Sequence, residues 1–403
     1  MIKLNKALIG GSLVLLITFN LFNIINFIFQ FSMVRLLSIV EYGVLATLFS
    51  IIYIFGIFSE SIQTIMAKFS SIEHDKGRIK NLLKKSLTKA VYISFLVFAF
   101  YLIISIPLSY LLKINYLLLA LNGLLVFVVF LLPVNRGVML GKKMFKELGI
   151  NMIIEASAKL FIALLLVYLG LKIYGAIVAL VIGAAVAFLF SFSTLKEIFS
   201  SEDKQAETNN IYQYAKPVAF ITLIITVFYS LDIIIAKIVF PAEIAGYYAI
   251  ASILGKIAFW GTQPISKAMF PLSAETGSKK KASPNVLWNA LGILGLCLVV
   301  YLAIIYLFPA FFIKIFSGRD IPQSISILFY ITLAMSILSV TNLFLLYKLS
   351  LGKIKDYYLF LIFPLIEIFL LIYFSHSLLQ FSVALVTASA IFLWGVIFLI
   401  DRK

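Results

Sequence analysis

DIIIAKIVFPAEIAGYYAIASILGKIAFWGTQPISKAMFPLSAE, residues 232–275, decides how the chain is read. An apolar helix ends at Lys237, the chain turns at Pro241 and Gly246, and a second apolar helix runs back to Pro271. An earlier stretch, RLLSIVEYGVLATLFSIIYIFGIFSESIQTIMAKFSSIE at 35–73, echoes it. With Gly43 placed on Gly246, Met66 falls on Met269, Ser70 on Ser273 and Glu60 on Gln263. A second echo is independent of the first. Leu140-Gly141-Lys142 matches Leu351-Gly352-Lys353, and each is followed by a glutamate inside an apolar segment, Glu155 and Glu367. Both echoes are offset by about half the chain, as in a membrane protein built from two related halves.

Composition supports a lipid environment. The chain has 403 residues, of which 63% are apolar and 12% charged, against roughly half and a quarter in a soluble domain. A chain of this length cannot enclose that much apolar surface in water. A spanning helix needs about 20 apolar residues. Twelve such segments are predicted, at 8–34, 42–67, 90–112, 116–134, 149–171, 173–195, 215–237, 246–271, 286–309, 325–347, 357–374 and 378–400. The expected fold is an all-α polytopic membrane protein, with two pseudo-symmetric six-helix lobes around a central cavity. The lobes would be 1–200 and 214–403, joined by a polar cytoplasmic linker at 201–213.

The formal charge of +16 invites a nucleic-acid reading, but its distribution answers otherwise. With the N-terminus inside, and residues at span ends counted with the adjoining side, 25 of the 33 lysines and arginines fall on the cytoplasmic side, 6 outside and 2 deep within spans, Lys159 and Lys256. That is the positive-inside pattern, with both termini cytoplasmic. The basic loop 68–89 reads as a topogenic loop that can also meet anionic headgroups. No expected outer loop is long enough for a folded domain. No phosphate-cradling loop is found: Gly137 to Lys143 is one residue short between its glycines and lacks the following Ser or Thr. The two histidines, His74 and His376, are far apart, and the single cysteine is Cys297. Neither an enzyme, nor a metal site, nor a cofactor is expected from such a set. A passive or secondary transporter is the default.

Ionisable residues inside spans are costly and face a bundle interior or a watery path. Six stand out: Glu60, Glu155, Lys159, Asp232, Lys256 and Glu367. Glu155 and Lys159 are four apart and share a helix face, so they form either an internal ion pair or part of a cavity wall. Asp232 fixes the following turn or binds a coupling cation. Glu60 sits among headgroups or binds one too. Lys256 lies about 15 Å into its helix and has no carboxylate three or four residues away. Its acceptor is Glu367, Glu155 or an anionic substrate. The first helix carries Asn20, Asn23, Asn26 and Gln30 on one face, then Arg35. Such a ladder serves interhelical hydrogen bonding or a path for sugar hydroxyls.

Several motifs carry a resemblance. The first helix ends in Val34-Arg35-Leu36-Leu37, followed by Glu41-Tyr42-Gly43. The fourth ends in Arg136-Gly137-Val138-Met139-Leu140-Gly141, then Phe145. Asp232 leads into Ala245-Gly246-Tyr247-Tyr248, and the eighth span ends in Phe270-Pro271. In order and spacing the chain resembles the polysaccharide-unit (O-antigen or exopolysaccharide) flippases of the multidrug/oligosaccharidyl-lipid/polysaccharide exporter superfamily. The resemblance implies a multi-pass protein of the cell membrane. It would move a polyprenyl-pyrophosphate-linked oligosaccharide from the cytoplasmic to the outer leaflet by alternating access, beside membrane lipids and with polysaccharide polymerase or glycosyltransferases as partners. Lys256, Arg35, Asn20, Asn23, Asn26, Lys159 and Glu155 are then the substrate-binding candidates, and Glu60, Glu367 and Asp232 the cation-coupling ones. A cation-coupled multidrug exporter of the same superfamily is the rival. A membrane polymerase or ligase would normally carry a sizeable outer loop, and a scaffold would not need midplane charge.

Overall fold

The computed structural model describes residues 6–205, 215–278, 284–351 and 357–400. Among them the chain is helical throughout, with no strand. The first half holds α1 (Lys6–Leu36), α2 (Ile39–Ile72), α3 (Lys76–Leu112), α4 (Tyr116–Gly123), α5 (Leu125–Gly141), α6 (Phe145–Leu166), α7 (Lys172–Thr194) and the short α8 (Lys196–Phe199). The second holds α9 (Ala215–Val239), α10 (Ala242–Ser278), α11 (Pro284–Leu307), α12 (Pro309–Ser317), α13 (Pro322–Ser350), α14 (Ile362–Tyr373) and α15 (Leu378–Ile400).

Among the described residues, ten helical stretches are long and apolar enough to cross a membrane. One of them, Phe145–Thr194, is 50 residues long. It breaks at Gly170 (φ +87°) and Lys172 (φ +48°), so it is two spans joined by the short turn expected there. Tyr358–Tyr373 is a shorter apolar helix. Every predicted span is therefore a helix. The ends differ more. α5 runs on to Gly141 rather than stopping at 134, and α10 continues through Pro271 to Ser278. The basic stretch 68–89 is not a loop: only Glu73–Asp75 separates α2 from α3. Lys279, Lys280 and Lys281, Gly352 and Lys353, most of the expected linker and both extreme termini lie outside the described residues.

Local chemistry sets these breaks. Ser38 and Glu41 form a reciprocal capping box at the start of α2, each accepting the other's backbone N–H, at 3.2 and 3.0 Å. Asp75 caps α3 through the N–H of Gly77 at 2.7 Å. Gly318, in the left-handed region at φ +72°, ends α12, and Pro322 opens α13.

The helices fall into two compact units. One comprises Met1–Leu37 and Phe55–Ala215, the other Ser38–Ile54 and Lys216–Lys403. In the first, α6 packs on α1 and α7, and α3 on α4 and α5. In the second, α10 packs on α13, and α13 on α15. Burial sorts the helices by role. The apolar window of α10 is 72% buried, whereas those of α3 and α11 are 17% and 22%. The outward rings and aliphatics of α3, such as Phe95, Phe100 and Ile103, form a lipid-facing surface.

The first echo has a physical counterpart. Met66 and Met269 are both buried, as are Ser70 and Ser273. Each serine hydroxyl donates to the carbonyl four residues back, Met66 at 2.7 Å and Met269 at 3.0 Å. Gly43 and Gly246 meet each other: a Cβ on Gly43 would lie 2.9 Å from the Gly246 Cα. The pattern Arg136-Gly137-x-x-x-Gly141 is also a packing device. A side chain on Gly137 or Gly141 would run into Met66 and Gln63, or into Ser70 and Ala67, along one row of α2.

On the end carrying the basic residues, 196–205 folds back along α3. Lys76 pairs with Glu197 at 2.7 Å, Lys84 with Asp203 at 3.0 Å, and Lys204 with Asp75 at 2.8 Å. The Lys80 ammonium donates to the Ser201 carbonyl at 2.5 Å. Gly77 lets the strap pass, because a Cβ there would sit 2.2 Å from the Glu202 carbonyl oxygen.

The close approach of Gly246 to the Ile39 carbonyl, 2.4 Å from an added Cβ, sets a test. Gly246→Ala is expected to cost about 1–3 kcal/mol through overpacking. Gly56→Ala, where nothing lies within 4 Å, should be neutral or stabilising by up to about 1 kcal/mol. Thermal unfolding of the detergent-solubilised protein compares the two.

Candidate functional site

Charges inside an apolar helix must find partners within the fold, because hydrocarbon offers none. Among the described residues, each unit holds a polar cluster that meets this demand. In the second unit, Tyr248, Ser252 and Lys256 stand four residues apart on α10 and so share one face. All three reach Asp232 on α9. The Lys256 ammonium lies 2.8 Å from Oδ1, while the Ser252 and Tyr248 hydroxyls donate to Oδ2 at 2.7 and 3.1 Å. The pair is sealed: the side chains of Lys256 and Asp232 are 3% and 0% exposed. Gly255 permits this by seating the α10 backbone against Ile331 and Thr332 of α13.

Glu367 on α14 belongs to the same cluster. It is fully buried, and it interacts electrostatically with Asp232, Lys256 and Tyr248. Neither of its carboxyl oxygens has a hydrogen-bond partner. One ammonium balances one carboxylate. If both carboxyls ionise, the buried volume carries an excess negative charge, which a proton or a small cation would neutralise.

In the first unit, Asn151, Glu155 and Lys159 repeat the same four-residue spacing on α6. Arg136 of α5 donates to the Asn151 side-chain oxygen and to Glu155 Oε2, both at 2.7 Å. Asn151 in turn donates to the Ala187 carbonyl at 2.7 Å, tying α6 to α7. Lys159 donates to the side-chain oxygen of Asn26 on α1 and lies 5.0 Å over the Phe29 ring. Gly183 of α7 accommodates the α6 backbone at Glu155 and Lys159.

Three sequence expectations are corrected by this geometry. Glu155 and Lys159 do not pair directly as their spacing suggested, because Arg136 takes the carboxylate and Asn26 takes the ammonium. Lys256 finds its acceptor in Asp232, not in Glu155 or Glu367. Asp232 is spent on α10 and not on the helix turn. Asn26, Lys159 and Glu155 do come together. Asn20 and Asn23 lie on the exposed side of α1, Glu60 is exposed on α2, and Arg35 sits at the end of α1 with its guanidinium 4.2 Å over the Phe31 ring. Arg136 and Asn151 were missed as site residues. Arg136 was legible only as part of the Arg-Gly motif, since the predicted span ended two residues before it.

The fold and the two clusters define a multi-pass membrane protein with the architecture of known transporters. One solved structure of similar fold is the inward-facing conformation of a multidrug resistance MATE family transporter of the MOP superfamily, with a TM-score of 0.74 at 12% identity, covering 94% of each chain. Another is the lipid II flippase MurJ in an inward closed conformation, with a TM-score of 0.70 at 14% identity, covering 97% of this chain and 88% of that one. A third is a MOP superfamily transporter from Pyrococcus furiosus, with a TM-score of 0.63 at 14% identity, covering 98% and 96%. A search of curated proteins returns no match. The family model described as polysaccharide biosynthesis protein matches residues 9–277, and the chain belongs to that family. The resemblance read from the turn motifs is thereby borne out.

The Asp232–Lys256 pair sets a test. Lys256→Met leaves a buried carboxylate without its cation and is expected to destabilise by about 3–5 kcal/mol. The double variant Lys256→Met, Asp232→Asn keeps an acceptor for the Tyr248 and Ser252 hydroxyls and should regain more than half of that loss. Thermal unfolding of the three proteins checks both expectations.

Proposed function

We propose that this protein is a flippase. It carries a polyprenyl-pyrophosphate-linked oligosaccharide from the cytoplasmic to the outer leaflet of the cell membrane by alternating access. The observation that carries this reading is the polysaccharide biosynthesis family match across residues 9–277. The fold shared with a lipid II flippase supports it. The physical task is to move sugar and pyrophosphate through about 30 Å of hydrocarbon. Glycosyltransferases would supply the substrate, a polymerase would consume it, and the protein itself would catalyse no bond change. The charge bias of the loops supports a cytoplasmic N-terminus.

The substrate-facing assignment is placed on the first unit. Asn20, Asn23 and Asn26 supply amides along α1, Lys159 and Arg35 supply cationic groups, and the Glu155–Arg136 pair fixes their surroundings. Lys256 is placed with the coupling group rather than the substrate. Glu367 and Asp232 share one ammonium, so a single proton or cation decides whether their cluster is neutral. Glu60 is the weaker coupling candidate, exposed on α2. A second reading, a cation-coupled multidrug exporter, is favoured by the fold shared with a MATE family transporter. The amides and cations of the first unit count against it, since a cationic drug needs an apolar, acidic pocket.

Proteoliposomes containing a fluorescent lipid-linked oligosaccharide separate the two readings. The wild type should expose the headgroup faster than empty liposomes. Lys159→Ala should slow this by about tenfold, equivalent to about 1.4 kcal/mol. Glu367→Gln should keep basal flipping and lose acceleration by a pH gradient. Headgroup exposure no faster than in empty liposomes, together with efflux of a cationic dye, would replace the flippase with the exporter.

A further inference from the structure

At the basic end of the first unit, three separate corners of the chain bring basic side chains to one cavity of about 520 Å³. His74 comes from the α2–α3 turn and Lys76 from the start of α3. Lys142 comes from the end of α5, and Lys196 from the start of α8. No sequence spacing relates these residues; the fold alone assembles them. The floor is apolar, made by Met144, Leu195 and Ile198.

Two of the three ammonium groups are anchored without being consumed, and the third, on Lys196, is exposed. Lys142 donates one proton to the Glu73 carbonyl at 2.5 Å, and Lys76 donates one to Glu197 at 2.7 Å. An ammonium has three donors, so each keeps two for a ligand. Partial burial pulls the Lys142 pKa below the usual lysine value, and the Glu73 carboxylate only partly offsets this. Glu197 is the one carboxylate on the cavity wall. The neighbouring acids are engaged elsewhere: Asp75 and Asp203 face Lys204, Asn81 and Lys84 along the strap. The Lys204 ammonium, bonded to Asp75, holds that carboxyl below its usual range.

The geometry points to a phosphate-binding site in this cavity, in which Lys76, Lys142 and Lys196 hold a phosphate or diphosphate anion and the apolar floor meets the group attached to it. Ammonium groups hold phosphate as point charges. The anion could be borne by a lipid headgroup or by a soluble compound. The shared chemistry is the phosphate, and the floor fits the lipid. The site is distinct from the clusters buried within the spans and does not depend on flipping activity.

Binding to the purified full-length protein in detergent micelles, measured by titration calorimetry, tests this. The probes are inorganic pyrophosphate, farnesyl diphosphate and farnesol. Farnesyl diphosphate should bind at least about fivefold tighter than pyrophosphate. The Lys142→Gln, Lys196→Gln double variant should weaken both by at least about tenfold. Glu197→Gln, at a side chain 83% exposed, should tighten both a few-fold. Equal binding of the two diphosphates, with the same variant effects, would keep the phosphate site and make its ligand soluble. Farnesol binding as tightly as its diphosphate, or diphosphate binding that neither variant changes, would overturn the proposal. These titrations read no transport, so a failed flipping assay leaves their outcome intact.

Discussion

A carboxylate in hydrocarbon has to be met by donors from its own bundle, because no water is there to do it. Asp232 is met by Lys256, Ser252 and Tyr248, three residues of one helix face. That arrangement requires α10 to present the same face to α9 over two full turns. It also requires that face to be inside, and the α10 window is correspondingly 72% buried. The first unit solves the same problem with the same spacing on α6. There Asn151 and Glu155 are tied to Arg136, and Lys159 to Asn26. In each unit the polar row dictates which helix can be central.

Close packing then depends on where side chains are missing. Between helices in lipid the gain comes from van der Waals contact more than from expelling water, so small residues let backbones approach. Gly43 against Gly246, Gly137 and Gly141 against α2, and Gly183 against α6 are such places. The Glu-Tyr-Gly turn gains a second reason from its chemistry. Glu41 closes a capping box, Tyr42 is fully buried with its ring edge-on to Phe316 at 6.4 Å, and Gly43 yields the crossing. Motifs that resemble a family signature are, in this chain, devices for ending one helix and starting the next at close range.

The helical architecture was legible because lipid imposes a length and a polarity that any 20-residue window reveals. Boundaries were less so. Pro133 followed by Asn135, Arg136 and Gly137 looks like a stop, yet α5 continues through them. It can do so because Asn135 finds Ser191 and Arg136 finds Asn151 and Glu155. A polar run ends a helix only when it has no partners inside, and those partners lie on other helices. The pairing of Asp232 with Lys256 was hidden for a similar reason. Counted from the intervening turn, Asp232 lies about 10 Å down α9 and Lys256 about 21 Å down α10. Equal depth places Asp232 level with Tyr248 and Ala249, where the Tyr248 hydroxyl does reach it, and the long lysine side chain brings in Lys256 from about two turns further along.

The second echo then separates the halves by how each glutamate is met. Glu155 and Glu367 occupy corresponding places, but Glu155 has Arg136 at 2.7 Å. Counting back from Gly352 as Arg136 stands before Gly141, the second half offers Tyr347. Tyrosine carries no charge to balance Glu367, and neither carboxyl oxygen of Glu367 is bonded. The charge that arginine supplies in one half is supplied in the other only at a distance, by a lysine already committed to Asp232. In the first unit Arg136 meets Glu155 directly, and the additional cation, Lys159, is held by the Asn26 amide. In the second unit the one carboxyl in excess gives two charge states that differ by a single proton or cation.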